Sequence, residues 1–123
     1  MYDDVVKRLE SLGYVVVDTD RWLVEFAIDK TENTIKNGCN VGTIPDGLHH
    51  VAVDMACGEF LFAKKGSGQL NDFNVEAAVK QIKEGDTSIT YAIGDTSITL
   101  DGLIKWLIEN GKPQFVTYRR FVW

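Results

Sequence analysis

The sequence predicts a mainly α protein: a small bundle of about four helices with a β-hairpin and an extended C-terminal segment. Apolar residues recur at helical spacing in separate stretches, a run near residues 79–92 alternates as in a hairpin, and the last residues are apolar on both sides. A chain of 123 residues is long enough for one domain with a buried core. We expect residues 1–111 to form the helical core domain and residues 112–123 to form the C-terminal segment.

The first two helices follow from apolar spacing and end signals. YDDVVKRLESLG predicts a helix with acids in its first turn and Gly13 just past its end. TDRWLVEFAIDKTENTIKNGCN predicts a second helix, capped by Asp18 or Thr19 and ended at Asn37-Gly38. Trp22, Phe26 and Asp29 share one face of this helix.

The third helix carries the strongest signal, over IPDGLHHVAVDMACGEFLFAKKGSG. Pro45 suits a first turn, and a wide apolar face follows it. Gly58 in the middle lowers helix propensity by about 1 kcal/mol relative to alanine, which indicates a close contact with another helix. Cys57 in the same stretch is interpreted as a small buried apolar residue.

The stretch NDFNVEAAVKQIKEGDTSITYAI is ambiguous. Asn74 could cap a helix, but the alternation from Val79 onward favours a strand, so we predict a β-hairpin near residues 79–92 with its turn at Lys83–Asp86. The hexapeptide GDTSIT begins at Gly85 and again at Gly94. Two copies are too few for a solenoid and lack the glycine spacing of calcium β-rolls. We therefore interpret them as two independent occurrences of residues that favour turns.

The last helix is predicted over TSITLDGLIKWLIENG, capped by Thr99 and ended by Gly111 and Pro113. Its apolar stripe comprises Leu100, Leu103, Ile104, Leu107 and Ile108.

Charge is unevenly distributed along the chain. The net charge is −5, but residues 111–123 contain Lys112, Arg119, Arg120 and no acid, so the other 110 residues carry −8. Such an acidic body disfavours tight binding to duplex DNA, which depends on Lys and Arg. The acidic N-terminus is unlike a secretory signal, and no apolar run approaches the roughly 20 residues that span a bilayer, so we expect no membrane association.

A few polar residues are candidates for metal binding or catalysis. His50 and Asp54 are four residues apart and could reach one metal ion with His49 nearby, but H-E-x-x-H is absent, so we predict no metal site and no cofactor. Glu59 could be a buried general base, but we expect it to lie on the edge of the apolar stripe or to pair with a Lys or Arg instead. The chain is predicted not to be an enzyme. Two alternatives stay open: a metal-dependent enzyme using His49, His50 and Asp54, and a small helical DNA-binding regulator.

The C-terminal segment KPQFVTYRRFVW combines large apolar residues with two arginines. As an extended strand it has large apolar side chains on both faces, which water does not favour. It could fold back as an edge strand on its own domain, or add to another subunit with its aromatic and arginine side chains as anchors. The candidate partner-binding residues are Phe115, Tyr118, Arg119, Arg120, Phe121 and Trp123.

Three phrases, IPDGLHHVAVDMACGEFLFAKK, VKQIKEGDTSITYA and YRRFVW, resemble the head–tail connector (head-completion, or adaptor) proteins of tailed bacteriophages and of prophages in Gram-positive bacteria. The likeness covers roughly residues 15–123. It implies a structural virion protein, made in the bacterial host cytoplasm and located at the head–tail interface of the virion.

The resemblance also implies partners. About a dozen copies would form a ring beneath the portal protein, extend the DNA channel and present a surface to stopper or tail-completion proteins. DNA would pass through without tight binding, which agrees with the acidic body. The C-terminal segment, Lys112–Trp123, would grip the portal or a neighbouring subunit.

Overall fold

The computed structural model describes residues 1–70, 73–85 and 99–118. These ranges are mainly helical and contain no β-strand, which confirms the predicted α class. The helices are α1 (Tyr2–Ser11), α2 (Arg21–Cys39), α3 (His49–Gly66), α4 (Val75–Gly85) and α5 (Leu100–Glu109). Short 3-10 helices occupy Asp18–Asp20, Asp46–Leu48 and Lys112–Gln114, and the last one leads into a single helical turn, Phe115–Tyr118. Within the described ranges, every helix is too short or too polar to span a bilayer.

Helix α3 is the centre of the fold, because α1, α2 and α5 all pack against it. A helix that is apolar around most of its circumference has to be surrounded by other elements. The buried residues of α3 are Val51, Ala52, Val53, Met55, Ala56, Cys57, Gly58, Phe60 and Leu61.

Gly58 is the point of closest approach between α3 and α5. A Cβ atom built on Gly58 would lie 2.7 Å from Ile108 Cγ1 and 3.2 Å from the backbone oxygen of Ile104. The absence of a side chain therefore lets the two helix backbones come together. The predicted helix–helix contact at this glycine is confirmed.

Several helix ends follow local sequence signals. Thr99 Oγ1 accepts a hydrogen bond from the Gly102 N–H at 3.0 Å, as expected of an N-cap. Gly13 follows α1 with a φ of +97°, a conformation that favours glycine. Helix α2 differs from prediction at both ends: it starts after the 3-10 helix with Asp20 as its N-cap, and it ends at Cys39 before left-handed Asn40.

The predicted β-hairpin near residues 79–92 is wrong over residues 79–85, which belong to α4. Asn74 Oδ1 accepts a hydrogen bond from the Ala77 N–H at 3.0 Å and so caps the helix. Ala78, Val79 and Ile82 then form one buried face at helical spacing, and this burial outweighs the short alternation. Residues 86–92 of the predicted hairpin lie outside the described ranges.

The predicted extended C-terminal segment is also wrong over residues 112–118, which form the 3-10 helix and the helical turn. Pro113 occupies the start of that 3-10 helix, where proline's fixed φ is favourable. Residues 119–123 lie outside the described ranges.

A buried ionic contact positions the start of α2. Asp20 Oδ2 accepts hydrogen bonds from the Tyr14 hydroxyl at 2.9 Å and the Val17 N–H at 3.2 Å, and Lys64 Nζ lies 2.5 Å from Asp20 Oδ1. Burial alone would raise the pKa of Asp20, but the hydrogen bonds from Lys64, Val17 and Tyr14 together hold that pKa below its usual value. The connection from α1 to α2 is thereby attached to the end of α3.

Candidate functional site

The base of the C-terminal segment is built into its own domain. Phe115 is only 7% exposed and joins the apolar cluster of Ile35, Cys39, Leu48, Val51, Ala52 and Met55. A Cβ atom on Gly38 would lie 2.7 Å from the Phe115 ring, so this glycine makes room for it at the end of α2. Phe115 is therefore packed into the core of its own domain, whereas the sequence predicts a partner-binding residue at this position.

Tyr118 continues this attachment. It is half-buried, and its hydroxyl lies against Gly47, where a Cβ atom would overlap it. Val116, between the two anchors, points outward and is 68% exposed. The other predicted partner-binding residues, Arg119, Arg120, Phe121 and Trp123, lie outside the described ranges, and the chain enters them from a fixed point beside the loop between α2 and α3.

An exposed aromatic pair lies on α2. Trp22 is 70% exposed and Phe26 is 52% exposed, and their rings stack with centroids 5.3 Å apart and an interplanar angle of 16°. They lie on the side of α2 opposite its buried residues, which are Val24, Ala27, Ile28, Thr31, Ile35 and Cys39. Two large aromatic rings facing solvent on successive turns form an exposed apolar patch, a feature typical of protein–protein contact surfaces.

Exposed acidic residues precede and follow the aromatic pair in the chain. Asp18 lies one turn before Trp22, and Asp29 lies one turn after Phe26; both are exposed. Glu25 is neutralised by Arg21, whose Nε lies 3.0 Å from Glu25 Oε1. We call the set Asp18, Trp22, Phe26 and Asp29 the aromatic–acidic stripe. Apart from Asp18, these residues were placed on one face by the sequence spacing, but their exposure was not predictable without the packing of α2 on α3.

The histidines and Asp54 line a surface cavity of about 480 Å³ between α1 and α3, together with Asp4, Lys7, Arg8 and Val53. Asp54 Oδ1 accepts a hydrogen bond from Arg8 Nε at 3.0 Å, and His49 Nε2 lies 3.0 Å from Asp4 Oδ2. These contacts connect α1 to α3. In the part of the chain that the structure describes, no group of three or more His, Cys, Asp or Glu side chains is placed to hold a metal ion.

The surroundings of Glu59 and Cys57 indicate a structural role for each residue. Glu59 Oε2 lies 3.0 Å from Lys30 Nζ, which confirms the expected pairing with a cation. Cys57 is fully buried, and this burial raises the pKa of its thiol far above the usual range, with a smaller contribution from the charge of Asp54. The interpretation of Cys57 as a small apolar core residue is confirmed, since a thiol held protonated is a poor nucleophile.

Comparison with known proteins found no matching family model, no matching curated protein and no matching solved structure.

Proposed function

We propose that this protein is a non-enzymatic structural protein of tailed-phage particles, a head–tail connector adaptor. Its copies assemble as a ring beneath the portal protein, extend the DNA channel and offer a surface to stopper or tail-completion proteins. The resemblance of the α3 sequence and of the closing YRRFVW to such connectors supports this assignment.

The structural observation that carries the proposal is the exposed Trp22–Phe26 stack. Pockets for small molecules are concave and enclose most of the ligand, whereas this pair lies on the outer, convex face of a helix. Tryptophan and other aromatic residues are enriched at the energetic centres of protein–protein interfaces. A surface of this kind fits a protein whose work is to bind other subunits.

The anchored C-terminal segment gives further support. Because Phe115 and Tyr118 pack against Gly38 and Gly47, the chain is held at a defined position just before residue 119. They contain two arginines and two aromatic residues, which are the residue types that anchor partners. A connector that must grip a portal or a neighbouring subunit needs such a positioned binding segment.

The acidic body is compatible with a DNA conduit. Tight DNA binding requires Lys and Arg that displace counterions, and the 110 residues before Gly111 carry a net charge of −8. DNA that must slide through a channel benefits from walls that do not hold its phosphates.

The proposal is tested by mixing the protein with rings of the portal protein encoded in the same phage or prophage genome. We expect co-sedimentation, and electron microscopy should show a ring of added density below the portal. Removing residues 119–123 should abolish co-sedimentation while the helical circular dichroism stays unchanged, since Phe115 and Tyr118 remain. Phe62→Ser, which alters an exposed aromatic residue of α3 far from the C-terminal segment in sequence, serves as the matched control and should bind normally. A full-length protein that never sediments with the portal would refute the assignment.

A further inference from the structure

We propose that the aromatic–acidic stripe on α2 is the docking site for residues 119–123 of a second copy of this chain. The inference rests on the proposed function, in which copies assemble side by side, and it specifies the two surfaces that join neighbouring copies.

The chemistry of the two surfaces is complementary. The stripe presents two stacked aromatic rings between two exposed carboxylates, Asp18 and Asp29. The segment presents Arg119 and Arg120 followed by Phe121, Val122 and Trp123. A guanidinium group forms paired hydrogen bonds with a carboxylate and also stacks on an aromatic ring, so arginine matches both components of the stripe.

The geometry disfavours the chain's own segment as the occupant of the whole stripe. Phe115 fixes the segment at Gly38, and Trp22 lies about 24 Å from Gly38 along the axis of α2. Five extended residues span about 17 Å, and the two arginines come first, within about 7 Å of Tyr118. Arg119 and Arg120 would therefore approach Trp22 of their own chain only if the segment ran fully extended back along α2, a restriction that a second copy does not have.

Charge also argues against the stripe pairing with itself in a two-fold dimer. Such a contact would bring Asp18 and Asp29 of one copy close to the same carboxylates of the other copy. Like charges placed together across an interface are unfavourable, whereas the cationic segment relieves this repulsion.

The resulting contact is head-to-tail, because each copy donates a segment on one side and accepts one on the other. Contacts of this type either close into a ring or continue as a filament. A five-residue segment covers less than the roughly 800 Å² per partner of a standard interface, so one contact between isolated copies is weak. In a ring, or on a portal that holds copies together, many such contacts act at high effective concentration.

The first experiment is site-directed disulfide cross-linking of the full-length protein, with copper phenanthroline as the oxidant. A mixture of the Val122→Cys and Asp29→Cys variants should give a covalent dimer containing one copy of each. A mixture of Val122→Cys with Glu76→Cys, an exposed position on α4, is the matched control and should not. Cys39 and Cys57 are buried and should contribute little background. Equal cross-linking in the two mixtures, or efficient cross-linking of Asp29→Cys alone, would overturn the proposal.

The second experiment is charge exchange, measured by sedimentation velocity over a range of protein concentrations. Arg119→Glu with Arg120→Glu should raise the concentration at half-association by about tenfold or more. Adding Asp18→Arg and Asp29→Arg to the same chain should restore most of the association, since both partners then have reversed charge. Circular dichroism verifies folding, and Asp29→Arg alone provides a second stripe variant if Asp18→Arg disturbs the start of α2. No restoration by the combined variant would contradict the pairing.

Co-sedimentation with the portal, run in parallel, separates this inference from the proposed function. Portal binding without the Val122–Asp29 cross-link would leave the connector assignment standing and remove the stripe as the contact between copies. The cross-link without portal binding would support the stripe as the contact between copies and remove the connector assignment.

Discussion

Replacing Gly58 by alanine sets two opposing effects on stability against each other. In an exposed helix, glycine to alanine raises helix stability by about 1 kcal/mol. At Gly58, however, the new methyl group would lie 2.7 Å from Ile108 Cγ1, 3.0 Å from Leu107 Cβ and 3.2 Å from the Ile104 oxygen. The last two belong to or adjoin the α5 backbone and cannot rotate away, so the helices have to separate.

The expected result is a net loss of stability. Overpacking a well-filled core costs about 1–3 kcal/mol, and the propensity gain offsets only part of it. We expect the free energy of unfolding to fall by about 1–2 kcal/mol and the melting temperature to fall by several degrees. Urea and thermal unfolding followed by circular dichroism measure both quantities.

Gly66→Ala is the matched control, because Gly66 ends the same helix and a Cβ atom there would meet nothing within 4 Å. It should leave stability unchanged or raise it slightly. If Gly58→Ala were as stable as Gly66→Ala, the close approach of α3 and α5 at this glycine would be refuted.

Three further outcomes are expected. Phe115→Ala should lower the free energy of unfolding by about 3–5 kcal/mol in urea titrations, whereas Val116→Ala, at an exposed position, should change it little; equal effects would contradict the anchoring of the C-terminal turn. Because the folded-state pKa of Asp20 is lowered, its contribution to stability is present above its unfolded pKa of about 4 and is lost as the pH falls toward the folded value. Asp20→Asn should therefore reduce the loss of unfolding free energy between neutral and acidic pH. An unchanged pH dependence would exclude this contribution. Gel-shift titration with duplex DNA at physiological salt should give no complex below about 1 µM, and a tighter complex would favour the DNA-binding alternative.

The main α elements were predictable because their signals are local. The cap at Thr99, the terminal glycine Gly13 and the apolar faces of α1, α3 and α5 depend on residues within a few positions of one another. The predicted pairing of Glu59 and the close contact at Gly58 also follow from the cost of a buried acid or of a glycine inside a helix.

The hairpin prediction failed over 79–85 because so short a run is a weak test of periodicity, although the three-residue spacing of Val79 and Ile82 fits a helix. Ala78, Val79 and Ile82 form the buried face of α4 and belong to the same apolar cluster as the buried residues of α5. This burial favours the helix over the strand. Trp106 shows the same limit: it lies off the predicted stripe of α5, yet it is buried among neighbouring helices. A periodic pattern indicates which residues share a face and says nothing of how many faces other elements cover.

The sequence alone determined the helical class, most of the helix positions, the acidic body and the arginine- and aromatic-rich end of the chain. Only the tertiary structure decided that Phe115 is a core residue and that Trp22 and Phe26 are exposed. The physical reason is that burial is a relation between elements distant in the chain: Gly38 and Gly47 leave space for Phe115 and Tyr118, while α3 covers one side of α2 and leaves its aromatic side to water.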